Sequence, residues 1–192
     1  MKGITYASCF ENGGIGIRSN YPYFDEEKEQ VVTLEQDINE CRKKNGEKPL
    51  SYYKGGPMAD ISAYMAYTSR GNIINVEIPN NDKAIDAYEM GRKLYFTKVG
   101  QLNFSCADCH VYQTGSKLRA DIPSPGIGHP THFPAYRSSA GRLVTLHERF
   151  AGCLNRVRAK PFKAQNAEYR NLEYFMTFMS NGLEINGPGS RK

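Results

Sequence analysis

Five cysteines and four histidines carry most of the reactive chemistry in this 192-residue chain. Two of those cysteines and one histidine fall in the run Cys106-Ala107-Asp108-Cys109-His110. That spacing lets two thiols reach the two vinyl groups of one porphyrin while the next imidazole coordinates its iron, so the motif predicts one covalently attached haem c. The competing readings are a thioredoxin-like redox pair and half of a zinc site. A redox pair belongs after a strand in a βαβ unit, whereas this motif follows a helical stretch and the segment YFTKVGQLNFS. No second C-x-x-C exists to complete a four-cysteine zinc site.

Cys9 and Cys41 have no metal motif around either of them, which makes them the natural disulfide pair in an oxidising compartment; two buried thiols in a reducing one are the alternative. Such a bridge would add roughly 3–4 kcal/mol through the entropy of the unfolded chain. Cys153 is then left over. It could be an inert buried thiol, a bridge to another chain, or a ligand on the far face of the haem iron. Its setting, HERFAGCLNRVR, puts Arg149 one helical turn before it and Arg156 close after it. Cationic neighbours favour the thiolate, and iron favours it further. Arg156 and Arg158 read as contacts for a partner or for haem propionates, and Arg119 as a contact at the haem edge. His129, His132 and His147 compete with Cys153 for the iron but read as loop or surface histidines. Met176 and Met179, at the end of an aromatic helix, read as core packing.

The elements that must position these groups come from a chain that repeats itself. At an offset of 112, Gly14-Ile15-Gly16 falls on Gly126-Ile127-Gly128, Pro22 on Pro134, Val32-Thr33-Leu34 on Val144-Thr145-Leu146, Cys41 on Cys153 and Lys48-Pro49 on Lys160-Pro161. After a one-residue slip, YMAYTSRG at 64–71 matches FMTFMSNG at 175–182, each a helix end closed by glycine. The fold class expected is mainly α, with two tandem units, 1–78 and 79–192, meeting where Pro and Asn interrupt NVEIPNNDKA at 75–84. Apolar spacing predicts helices over 83–97, about 145–158 with Cys153, and about 167–179. The Gly-, Pro- and Ser-rich stretch between His110 and Thr145 reads as loops that wrap something. Only the second unit has the haem motif.

Composition excludes more than it proposes. The net charge of +5 suits an anionic ligand or partner, but the basic residues are scattered and form no nucleic-acid signature. The acidic runs DEEKE at 25–29 and EQDINE at 35–40 read as solvated faces. No apolar run is long enough to cross a bilayer, and MKGITYASCF is not a signal-peptide pattern. A mature secreted chain behind a new Met would read the same, and covalent haem attachment, ordinarily completed outside the cytoplasm, points there.

The runs YPYFDEEKEQVVTLEQDINECR, YMAYTSRG, GRKLYFTKVGQLNFSCADCH and HERFAGCLNRVRAKPFKA together resemble the A subunits of the sulfur-oxidising (Sox) cytochrome c complex, in their single-haem form. The resemblance spans essentially the whole chain. It implies cytochrome c topology in both units, and haem attachment at Cys106 and Cys109. It also implies His110 as the proximal ligand, Cys153 as distal ligand and catalytic sulfur, found as a persulfide in the family, and Arg149 as the neighbouring arginine. The implied activity is that of an L-cysteine S-thiosulfotransferase in the periplasm. It joins thiosulfate oxidatively to a cysteine of the SoxYZ carrier, in a heterodimer with a small haem-bearing X subunit and with a possible accessory subunit. A pure electron-transfer cytochrome, a thiosulfate dehydrogenase forming tetrathionate and a haem sensor are the other readings.

Overall fold

The computed structural model describes residues 6–54, 56–118 and 121–191. Three short 3₁₀ turns between Tyr6 and Asn20 open the first unit, and Cys9 in them is bridged to Cys41. A cis Tyr21-Pro22 bond leads into the antiparallel hairpin of β1 (Tyr23–Asp25) and β2 (Gln30–Val32). Thr33 then accepts the backbone N–H of Gln36 on its hydroxyl, which caps α1 (Leu34–Lys44) and starts it at that residue. Leu34, Ile38 and Cys41 lie on one face at helical spacing and pack against Met58 and Met65 of α2 (Pro57–Thr68).

The second unit begins with α3 (Asp82–Phe96), capped by the Asn81 side chain. A single-turn helix, α4 (His129–His132), precedes a cis Phe133-Pro134 bond and the hairpin of β3 (Ala135–Arg137) with β4 (Arg142–Val144). Thr145 caps α5 (Leu146–Arg156) through the N–H of Glu148, and α6 (Ala167–Phe178) follows. Hairpin, cap and helix therefore recur at the offset of 112 seen in the sequence: Tyr23 becomes Ala135, Thr33 becomes Thr145, and Leu34 becomes Leu146. The second glycine of each Gly-Ile-Gly anchor, Gly16 and Gly128, has a positive φ of 79° and 84°, a conformation that glycine adopts without a Cβ clash.

Helices α3 and α6 cross at Gly91, where a Cβ would stand 2.0 Å from the Asn171 carbonyl oxygen. Tyr88 of α3 packs on Phe175 and Phe178 of α6, with ring centroids 5.4 and 5.2 Å apart. The frame puts Tyr64 and Tyr67 of α2 at those two places, and there they are exposed. The C-terminal segment returns to tie the units: Ile74 donates to the Leu183 carbonyl, Ile185 to Asn72, and β5 (Gly189–Arg191) runs parallel to β3.

Four sequence expectations change. The helices expected over 83–97, 145–158 and 167–179 end at 82–96, 146–156 and 167–178. The stretch from His110 to Thr145 holds α4 and a hairpin as well as loops, because strands of three residues leave too short an alternation to recognise. The segment at 75–84, expected as the boundary between the units, is also part of the packing: Val76 and Ala84 share a core with Phe24, Val31, Tyr174 and Ile185. The run at 35–40 is not wholly solvated. Glu35 is buried and accepts a hydrogen bond from Ser62 at 2.6 Å, while Asp37 accepts from the hydroxyls of Tyr21 and Tyr23.

Candidate haem and sulfur site

The residues inside the motif build its own turn. Ser105 donates its N–H and its hydroxyl to Asp108, each at 2.8 Å, and Asp108 donates its N–H back to the Ser105 hydroxyl at 3.0 Å. This reciprocal cap starts a helical turn at Cys106 that widens to π-helical geometry over Asp108–Tyr112. The Ser105 hydrogen bonds also hold the Asp108 carboxyl below the usual carboxylate range. Cys106, Cys109 and His110 are thus presented from one turn, with Ala107 buried beneath them.

His110 carries its proton where a metal ligand needs it. Its Nδ1 lies 2.8 Å from the Ser124 carbonyl oxygen, an acceptor, so Nδ1–H donates and Nε2 keeps its lone pair. Cys153, from the middle of α5, brings its sulfur beside the same ring. Burial pushes the Cys153 thiol up, but the neighbouring His110 ring and the charges of Arg149 and Arg156 outweigh it and leave it below its ordinary value. Cys106 goes the other way: burial, reinforced by the Cys153 and Cys109 sulfurs, pushes its thiol up to about 12. Burial and Cys153 raise Cys109 as well.

The rival histidines are otherwise engaged. His129 packs edge-on against the His110 ring, centroids 4.7 Å apart, and its Nε2 is 2.9 Å from the Ser124 hydroxyl. Burial lowers its pKa to about 3. His132 contacts the Gly128 carbonyl through Nδ1. His147 accepts from the Gln165 N–H and sits 3.1 Å from Glu173. His132 and His147 are buried, not on the surface as expected, because each begins or ends a helix packed into the second unit's core.

This arrangement fits a haem c group. Two thiols on one turn, an imidazole with a free Nε2 and a third thiol at that ring are the donors such a group uses. Tyr95, Phe150, Leu172 and Phe175 supply apolar walls, and the buried Tyr95 hydroxyl has no hydrogen-bond partner among the described residues. Among the described residues no three His, Cys, Asp or Glu side chains are grouped as a metal-ion cage, as zinc would need.

Arg149 lies on α5 one turn before Cys153 and contributes to the field at the sulfur. Arg156 does too, but it pairs with Asp121 at 3.6 Å. Arg158 stands in the turn after α5, exposed, with its carbonyl accepting from Gln101. Arg119 lies outside the described residues. Met176 is buried in the core and Met179 packs against it. A further cation, Arg137 at the end of β3, shares this field, and no sequence motif points to it.

Two tandem helical units, one of them with thiols and an imidazole placed for covalent haem, define a protein of the cytochrome c class. Comparison narrows the class. The model of the SoxA/TsdA cytochrome c domain matches residues 1–74 and 90–185. An L-cysteine S-thiosulfotransferase subunit SoxA of Allochromatium vinosum is 55% identical over 191 residues, covering 99% of this chain and 67% of that protein. The SoxA subunit of Chlorobaculum tepidum is 54% identical, covering 100% of this chain and 66% of its own. The crystal structure of SoxXA from P. pantotrophus superposes with a TM-score of 0.88 at 32% identity, covering 100% of this chain and 72% of that one. The chain belongs to the SoxA/TsdA cytochrome c family, among its SoxA L-cysteine S-thiosulfotransferase subunits. It spans about two thirds of the length of these curated relatives. No helix of the described residues is long and apolar enough to cross a membrane.

Proposed function

We propose that the second unit binds one haem c, which Cys106 and Cys109 would attach covalently and whose iron His110 and Cys153 would hold. On this reading the chain conjugates thiosulfate to a cysteine of a SoxYZ-type carrier in the periplasm, beside a SoxX-type cytochrome. The observation that carries it is the Cys153 sulfur at the ring of His110, on the helix turn that follows Arg149.

Joining thiosulfate to a carrier thiol forms one S–S bond and releases one proton and two electrons. When bound, haem c would supply a one-electron acceptor for these electrons, relayed to the partner cytochrome. The chain's own residues do the rest. Arg149 draws the dianion to Cys153 and orients its outer sulfur toward that thiol, where the first S–S bond forms. The carrier thiolate then attacks that outer sulfur, its bond to Cys153 breaks, and the Cys153 thiolate departs beside the Arg149 guanidinium. The apolar walls keep water from this exchange.

Cys153→Ala is the test. The expected variant keeps covalent haem, seen by intact mass, and loses carrier-dependent thiosulfate oxidation. Full carrier-dependent turnover would defeat the covalent role, and tetrathionate formed without any carrier would favour a dehydrogenase.

A further inference from the structure

We propose that Arg137 is a second arm of the anion site, binding the sulfonate end of thiosulfate while Arg149 lies beside Cys153. The inference rests on the proposed thiosulfate chemistry and adds the residue that would set selectivity for a dianion.

The duplicated frame makes the case. Arg137 and Arg149 correspond to Asp25 and Asp37 of the first unit, so both charges are inverted in the unit that holds the free thiol. In the first unit both acids are satisfied internally. Asp25 accepts from the Lys28 N–H at 2.9 Å and from its ammonium at 2.7 Å, and Asp37 accepts from Tyr21 and Tyr23 at 2.9 and 3.1 Å. The second unit has Phe133 and Ala135 where those tyrosines stand, so the hydroxyls are gone. Its other two arginines nearby have carboxylates: Arg142 pairs with Glu148, and Arg156 with Asp121. Among the described residues, Arg137 and Arg149 have none within ion-pair distance.

Position agrees with charge. Arg137 ends β3, in register with Arg142 of β4 and Arg191 of β5, and β4 runs through Thr145 straight into α5. Burial pulls the Arg137 guanidinium below its usual value, Arg149 and Arg156 pull it further, and the Cys153 sulfur and the Asp121 carboxylate oppose them. Half-buried cations that share one field, with no carboxylate at ion-pair distance from either, repel one another, and a bound anion relieves that repulsion. A planar guanidinium recognises a tetrahedral oxyanion through two parallel N–H donors, which a lysine lacks.

Calorimetric titration of the haem-loaded protein with thiosulfate, and separately with sulfate, tests this without turnover. Sulfate is a dianion of the same shape with a fourth oxygen in place of the outer sulfur. Arg137→Gln is expected to weaken both by about ten-fold or more, and Arg137→Lys to recover part of the loss. The haem spectrum and melting temperature should stay as in the parent protein, and so should the KM for the carrier. Unchanged affinity for both anions in Arg137→Gln overturns the proposal, as does a loss confined to the carrier KM. Failure of the underlying thiosulfate chemistry would show instead as undiminished turnover in Cys153→Ala, with the anion titrations unaffected.

Discussion

Cys41 and Cys153 hold equivalent places on α1 and α5, yet one is bridged to Cys9 and the other is free beside an imidazole. The difference lies in their neighbours. Cys41 faces the turns around Cys9, whereas Cys153 faces the turn presenting Cys106, Cys109 and His110. Arg149→Ala removes the cation nearest in sequence to that sulfur. Steady-state kinetics should show the KM for thiosulfate raised about ten-fold with the carrier KM unchanged, and unchanged kinetics across thiosulfate concentrations would contradict its role. The motif and the odd cysteine were legible in the sequence because both are counts and spacings. Arg137 was not: its meaning emerges only when the hydrogen-bond partners of Asp25 and Asp37 are set against those of the second unit.

At the scale of elements, α5 and its hairpin place Cys153, while α3 and α6 place the wall behind the motif. The crossing of α3 and α6 depends on Gly91, whose missing side chain lets the Asn171 carbonyl approach. Gly91→Ala should therefore cost about 3 kcal/mol or more, since a backbone oxygen cannot step aside as a side chain can. Thermal unfolding followed at the haem band measures it, and a melting temperature equal to the parent's would contradict the close crossing. The three helices expected in the second unit, α3, α5 and α6, were readable to within two residues, and Thr33 and Thr145 were already aligned in the repeat. The three-residue strands were not, since period two needs more residues to show.

Over the whole molecule, a buried polar network centred on the Arg18–Glu173 ion pair joins the two units. Arg18 of the first reaches Glu173 at 3.3 Å, and Glu173 in turn meets His147 on α5 at 3.1 Å. Glu35 with Ser62 occupies the matching place in the first unit, so each copy buries one polar pair between its two main helices. Burial raises the Glu173 carboxyl, but His147 and Arg18 overcome it and hold it below its ordinary value. A depressed carboxyl contributes stability above its unfolded value, near about 4.3, and that stability is lost as pH falls through the lower folded value. Glu173→Gln should thus unfold about 3 kcal/mol more easily at neutral pH, by leaving Arg18 buried without its charge partner. Its denaturation midpoint should converge on the parent's in acid, and a constant gap between the two at all pH values would contradict the assignment. The duplication could be read in the chain, but this bond between copies could not, because Arg18 and Glu173 lie 155 residues apart with no motif around either.

The central claim is that the Cys153 sulfur and the His110 nitrogen face each other across one covalently held iron. X-ray absorption at the iron edge of the haem-loaded protein measures this directly, with Cys153→Ala as the control. The expected result is one sulfur and one imidazole nitrogen as axial ligands, with the sulfur shell lost in the variant. Two axial nitrogens in the parent, or a sulfur shell that survives the substitution, would contradict the account.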